Sequence, residues 1–200
     1  MRLTHLTLAA ALTIVGLPAQ AETRETAIFA GGCFWCVESD FDKIDGVLET
    51  VSGYIGGHLD NPTYKQVVRE DTGHYEAVQI TYDADLVSYE TLVHAFWRSV
   101  NPTDPGGQFC DRGDSYRTAV FAIDDAQRGI AEASKQALDE SGVLDAPVVT
   151  PILDAAPFWP AEDYHQDYDK KNPLRYSFYR LSCGRDAEVR AVWGDEALTH

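Results

Sequence analysis

Two apolar periods alternate along this 200-residue chain in an order that few folds satisfy. Residues 26–30 (TAIFA) make a short apolar run ended by Gly31-Gly32, as where a strand meets a turn. Over 33–45, Phe34, Val37, Phe41 and Ile44 fall at helical spacing. Residues 47–55 and 75–82 alternate with period two; in the second, Val78, Ile80 and Tyr82 oppose Ala77, Gln79 and Thr81. Leu92, Val93, Phe96 and Val100 predict an amphipathic helix over 88–100. A strand over 116–123 follows. Asp124 and Gln127 then form a capping box, Gly142 stops the helix they open, and 147–153 reads as a last strand. The order β-α-β-β-α-β, then α-β, predicts an α+β domain with a ferredoxin-like split β-α-β core, a mixed sheet carrying helices on one face. From residue 154 the chain is rich in Pro and aromatics and is expected to wrap the domain as a long C-terminal segment. Two long connections, 56–73 and 101–115, are where a compact domain tends to carry function.

The first 21 residues stand outside that pattern. Arg2 and His5 precede an apolar run of about 12 residues, and Pro18 leads into Ala19-Gln20-Ala21, a small-residue cleavage site. The run is short of the roughly 20 residues a spanning helix needs. A signal peptide over 1–21, cut after Ala21, is expected, with 22–200 as a single domain that is periplasmic or secreted and free of the membrane after cleavage. A monomer is expected. The net charge of −16 argues against nucleic acid and anionic lipid as partners. Export favours lasting disulfides, and Cys33, Cys36, Cys110 and Cys183 could pair in three ways. A domain this long does not depend on staples, so a redox or catalytic role is equally open.

The segment AGGCFWCVES (30–39) carries the chemistry. A strand, two glycines and a helix start present Cys33 at a helix N-terminus. There unpaired N–H groups and the helix dipole favour the thiolate, so a lowered thiol pKa is expected. Cys36, one turn on, makes a C-x-x-C pair of the redox type. A zinc half-site would need a second Cys pair or histidines at ligand spacing, and neither is present, so no metal is expected. Phe34 and Trp35 beside the thiol offer an apolar seat suited to a methyl thioether derivative. Two other classes fit part of this pattern. One is a thioredoxin-like periplasmic disulfide oxidoreductase using Cys33-Cys36; the other is an exported binding domain with two structural disulfides.

GGCFWC, NPTY (61–64), TGHYEAV (72–78), CDRGDSYRTA (110–119) and FWPAEDYHQDY (158–168) occur in one order. Together they resemble the recurring segments of the type A peptide methionine sulfoxide reductases. The resemblance implies reduction of methionine (S)-sulfoxide, free or in proteins. It makes Cys33 the nucleophile that attacks sulfur and Glu76 the acid, if an apolar pocket raises its pKa. By the same likeness Tyr64 and Tyr116 donate to the sulfoxide oxygen, Asp111 orders the pocket, and Phe34 and Trp35 hold the substrate methyl. The sulfenic acid left on Cys33 condenses with a second thiol, and an external thioredoxin-type dithiol reduces the disulfide, with no bound cofactor. Cys183, on a segment expected to fold back, is the first choice as the resolving thiol and Cys36 the second. Cys110 reads as a buried apolar residue. His165 reads as structural, and His58 and His74 as hydrogen-bonding loop residues.

Overall fold

The structure is a computed structural model that describes residues 23–69 and 71–199. The leader at 1–21 lies outside the described residues. Strands β1 (Arg24–Gly31), β2 (Val47–Ile55), β3 (Tyr75–Asp83) and β6 (Thr118–Ala122) form the core of a six-stranded sheet. It is extended by β7 (Ile152–Asp154) and β8 (Trp159–Pro160), in the order β7-β6-β1-β3-β2-β8. Among the described strands of this sheet only β6 and β7 run parallel. With α1 (Phe34–Phe41) between β1 and β2 and α3 (Tyr89–Ser99) between β3 and β6, this is the split β-α-β core expected from the element order.

Strand alternation divides the two faces. Ala27, Phe29, Val78, Ile80, Tyr82 and Val120 point to the helical side, where Val37, Phe41, Leu92, Val93 and Phe96 meet them. Phe29 stacks on Phe41 and Phe96 with ring centroids 5.3 and 5.0 Å apart. Helix α4 (Asp125–Ser141) joins this layer through Ala131 and Leu138, and the Trp97 indole N–H donates to Ser134 Oγ at 2.9 Å. The opposite face buries Ile28, Ala30, Ile55, Ala77, Ala119 and Phe121 under Leu153, Ala156 and Phe158. A side chain at Gly53 would come within 2.4 Å of the Phe158 ring, so the tail lies flat there only against glycine.

The predicted cap and stop of α4 hold: Asp124 Oδ1 accepts from Gln127 N at 2.8 Å and Gly142 closes the helix at φ +68°, though the Gln127 amide reaches back to Ile123 N rather than to Asp124 N; at α3, Ser88 Oγ accepts from Thr91 N at 3.1 Å. The last strand is shorter than expected. Val149 and Thr150 donate their backbone N–H groups to the Pro102 carbonyl rather than to β6, so pairing starts only at Ile152. The C-terminal segment wraps, but it is more ordered than its composition suggested. It adds β8 at the sheet edge and helices α5 (Tyr168–Lys171), α6 (Pro173–Cys183) and α7 (Arg185–Trp193). Val189 and Trp193 of α7 reach the main core, and the Trp193 indole N–H donates to Val100 O at 2.8 Å. Among the described residues no helix is long and apolar enough to cross a membrane.

Candidate active site

Cys33 is the N-cap of α1, outside the helix proper at φ −55°, ψ 118°. Gly32 before it sits at φ +84°, and a Cβ there would come within 2.6 Å of Gln108, so the turn admits only glycine. The Cys33 carbonyl accepts from Cys36 N and Val37 N, while Phe34 N donates to Glu76 Oε2 at 3.1 Å. A carboxyl from the neighbouring strand β3 thus caps the helix that carries the thiol. Glu76 reaches it because residues 76, 78, 80 and 82 share one face of β3, and Glu76 stands where that face meets the start of α1.

These residues close round a cavity of about 60 Å³, lined by Cys33, Phe34, Trp35, Tyr64, Glu76, Asp111, Tyr116 and Tyr179. That is room for a small head group, not for a peptide. The two long connections do converge on it. Tyr64 opens the one-turn helix α2 (Tyr64–Val67), whose first N–H donates to Glu162 Oε1 at 3.0 Å. Asp111 begins β5 (Asp111–Arg112), which pairs with β4 (Gly107–Gln108). Tyr116 ends the 3₁₀ turn Asp114–Tyr116. Tyr64 and Tyr116 share the cavity wall. Phe34 is buried, with only Trp35 partly exposed, so the seat is a pocket wall rather than an open apolar surface.

Electrostatics follow from enclosure. Glu76 is 1 % exposed, and burial raises its pKa to about 8 against the pull of the Phe34 N–H. Burial also raises Asp111 and the hydroxyls of Tyr64, Tyr116 and Tyr179. The expected lowering at Cys33 is not found. Burial comes first, and the Cys36 thiol, Glu76 and Asp111 add to it, pushing Cys33 well above an ordinary thiol. Cys36 goes the other way: the hydrogen bond from Cys33 lowers it, and the Arg185 and Arg180 cations assist. Three negative or sulfur neighbours in a dry pocket outweigh one helix end.

The other two cysteines depart from expectation. Cys110 is exposed, and Cys183 ends α6 rather than riding a free tail; the two form a disulfide with Cα atoms 5.0 Å apart. Cys33 and Cys36 are free thiols, so the pattern of two structural disulfides does not hold. Cys110, Asp111 and Cys183 also lie close together, but the two sulfurs are bonded to each other. His165 Nδ1 accepts from the Trp35 indole N–H at 3.1 Å and packs on Phe34 and Tyr64. His74 bridges loop backbone, facing Leu59 O at 2.7 Å and accepting from Gly57 N.

One pocket residue escaped the sequence reading: Tyr179 of α6 donates to Asp111 Oδ2 at 2.5 Å and meets Trp35 edge-on, while behind the wall Tyr168 stacks on Trp35 with centroids 3.7 Å apart. The signal for Tyr179 was the helical spacing of Tyr176, Arg180 and Cys183, hidden in a segment read only by composition.

Comparisons with known proteins agree with this geometry. The sequence profile of the family described as peptide methionine sulfoxide reductase matches residues 25–197. Peptide methionine sulfoxide reductase MsrA of Bacillus licheniformis is 55% identical over 174 residues, 87% of this chain and 96% of that protein. MsrA of Bacillus subtilis is 53% identical over 174 residues, 87% and 98% of the two chains. Among solved structures, methionine sulfoxide reductase A of Corynebacterium diphtheriae superposes with a TM-score of 0.68 at 32% identity, covering 81% of this chain and 79% of that one. Mxr1 of Saccharomyces cerevisiae in reduced form gives 0.69 at 30% identity, with coverages of 75% and 86%.

Proposed function

The chain belongs to the peptide methionine sulfoxide reductase family, and from that premise we propose that Cys33 is the atom that attacks the sulfoxide sulfur. The protein is an oxidoreductase that reduces methionine (S)-sulfoxide with thiols. The observation that carries the assignment is the meeting of Cys33, Glu76, Tyr64 and Tyr116 round one small cavity, with Glu76 buried so that its carboxyl is pushed up to about 8.

The substrate methyl sits against Phe34 and Trp35, and its oxygen takes hydrogen bonds from Tyr64 and Tyr116. Glu76 gives that oxygen a proton as Cys33 sulfur adds to the substrate sulfur and the Cys33 thiol proton passes to the Glu76 carboxylate, which converts a poor leaving group into a workable one. Asp111 holds Tyr179 at the pocket wall. Oxygen passes to Cys33 as a sulfenic acid and methionine leaves. A second thiol then attacks the Cys33 sulfur; the S–S bond forms, the S–O bond breaks, and water departs.

Cys36 is that second thiol. Its side chain packs with Cys33 in one buried cluster, and Cys33, as N-cap, stands outside the helix whose first turn carries Cys36. Cys183, tied to Cys110, follows as a secondary partner. A thioredoxin-type dithiol donor reduces the product disulfide. The leader motif at 1–21 supports action in the periplasm or outside the cell, where a Cys110–Cys183 bond persists. A thioredoxin-like disulfide oxidoreductase is not favoured, because a raised carboxyl and two tyrosine hydroxyls beside the thiol suit a sulfoxide oxygen.

The test is single turnover with N-acetyl methionine sulfoxide. Wild type releases about one methionine per chain without added reductant, and Cys33→Ser releases none. Turnover that survives in Cys33→Ser removes the nucleophile assignment.

A further inference from the structure

Of the pocket tyrosines, Tyr64 is the one least held by its own element. It opens α2, a helix of four residues inside a long connection, too short to be stable alone. The contacts of Thr63 with Gln66 stay within that turn and fix nothing outside it. Val67 pins the far end of α2 in the core. The near end is held by the segment that follows β8. There Glu162 Oε1 accepts from Tyr64 N at 3.0 Å, and the His165 ring packs on the Tyr64 ring with centroids 4.6 Å apart. The Glu162 carboxylate reaches further, because its Oε2 accepts from the Tyr54 hydroxyl at 3.0 Å.

Tyr54 is a fixed point. It is fully buried on β2, pairs directly across from Glu76 on β3, and its ring centroid lies 5.9 Å from that of Phe34. Paired residues on adjacent strands share a face, so Tyr54 flanks both the acid and the wall for the substrate methyl. The backbone that carries Glu162 is fixed as well. Ala161 N donates to Ser52 O at 2.9 Å, and the Gln166 amide accepts from Ser52 N and donates to Ser52 O, both at 2.9 Å. Glu162 itself does not line the cavity, so it touches no reacting atom.

We propose that Glu162 is a positioning residue for sulfoxide reduction: its carboxylate clamps the first turn of α2 to Tyr54 and so sets where the Tyr64 hydroxyl stands relative to Glu76 and Phe34. The proposal rests on the reading of Tyr64 as a donor to the sulfoxide oxygen. A carboxylate suits the task, since its two oxygens take an N–H and an O–H at once and it brings no donor of its own. What a donor contributes to developing charge depends on its distance from the oxygen, so a small displacement of Tyr64 costs rate while Cys33 and Glu76 stay in place.

The experiment is a double-mutant cycle in the full chain, read as the rate constant of methionine release in single turnover at saturating N-acetyl methionine sulfoxide. Tyr64→Phe is expected to lose roughly a hundredfold. Glu162→Ala is expected to lose about tenfold, as for a donor displaced rather than removed. In the Tyr64→Phe background, Glu162→Ala is expected to cost less than about threefold, because the hydroxyl it places is already gone. The same tenfold loss in both backgrounds, or wild-type release in Glu162→Ala, would overturn the proposal; a role in folding alone multiplies with the Tyr64 change. Glu162→Gln keeps an acceptor for Tyr64 N and a polar group beside the Tyr54 hydroxyl, so release should stay within about threefold of wild type. A loss as large as that of Glu162→Ala would make charge rather than placement the cause, and the proposal falls. Should Glu162→Ala fail to fold, Tyr54→Phe cuts the clamp at its other end while keeping the ring on Phe34. It is expected to slow release by about threefold to tenfold, and only where Tyr64 has its hydroxyl; release at the wild-type rate defeats the idea. The underlying reading fails separately: Tyr64→Phe within about threefold of wild type removes Tyr64 as a donor, whatever Glu162 does.

Discussion

Glu76 concentrates the chemistry of this protein in one protonation state. Held near pKa 8 by burial, it is mostly protonated at neutral pH and can donate to a sulfoxide oxygen. The rate constant for methionine release is therefore expected to fall as pH rises through about 8. Glu76→Gln should lose two to four orders of magnitude and that pH dependence with it. A loss below about threefold would mean that another group supplies the proton. The same residue costs stability. Its folded-state pKa lies above the ordinary 4.5, so the native state prefers the proton; this contribution is complete below 4.5 and is lost as pH climbs through about 8. Burial shifts Glu38 the same way, to about 7. Glu76→Gln is thus expected to be more stable than wild type above pH 8 and to differ less at low pH, as urea midpoints can show. Catalysis and folding pull against each other at this position, as expected where an ionisable group is kept dry.

At the scale of elements, the site is assembled at ends rather than along faces. The turn after β1, the start of α1, the start of β3, the one-turn α2 and the turn before β6 each give one or two side chains. Ends are held by caps and glycines, so substitutions there act at a distance. Gly32→Ala must shift Gln108 and adopt φ +84°; loss of folded yield or of Cys33 reactivity is expected, while the same change at Gly142, strained at φ +68° but clear of other groups and of the cavity, should cost some stability and keep activity. Ser88→Ala removes the acceptor for Thr91 N at the start of α3 and should cost about 1 kcal/mol. That loss would appear as a lower denaturation midpoint with unchanged slope, far enough from the cavity to leave turnover intact. Helix α6 binds the tail to the site twice, through Tyr179 on Asp111 and Tyr176 beneath the thiol pair.

For the whole molecule, the Cys110–Cys183 bond ties the loop bearing Asp111 to the end of α6 across 73 residues. On loop-closure entropy such a link contributes roughly 4 kcal/mol. Cys110→Ser is expected to lower stability by up to that amount while donor-driven turnover stays within threefold; turnover that stops after one methionine would instead make the bond a working relay. The only methionine is Met1, so removal of the leader would leave the enzyme without its own substrate residue. The element order, the cap at Asp124, the stop at Gly142 and the parity of β3 were all legible in the chain, because they depend on neighbours a few residues apart. So was the cluster of Cys33, Glu76, Tyr64, Asp111 and Tyr116, through the segments that carry them. Local sequence could not register the protonation of Cys33 and Cys36, the pairing of Cys110 with Cys183, or the arrival of Tyr179 and Arg185. Each depends on groups brought together across many tens of residues and on the water their packing excludes. Sequence by itself determined which atoms could react; the tertiary structure decided which of them hold their protons, because solvation and charge are properties of the assembled pocket.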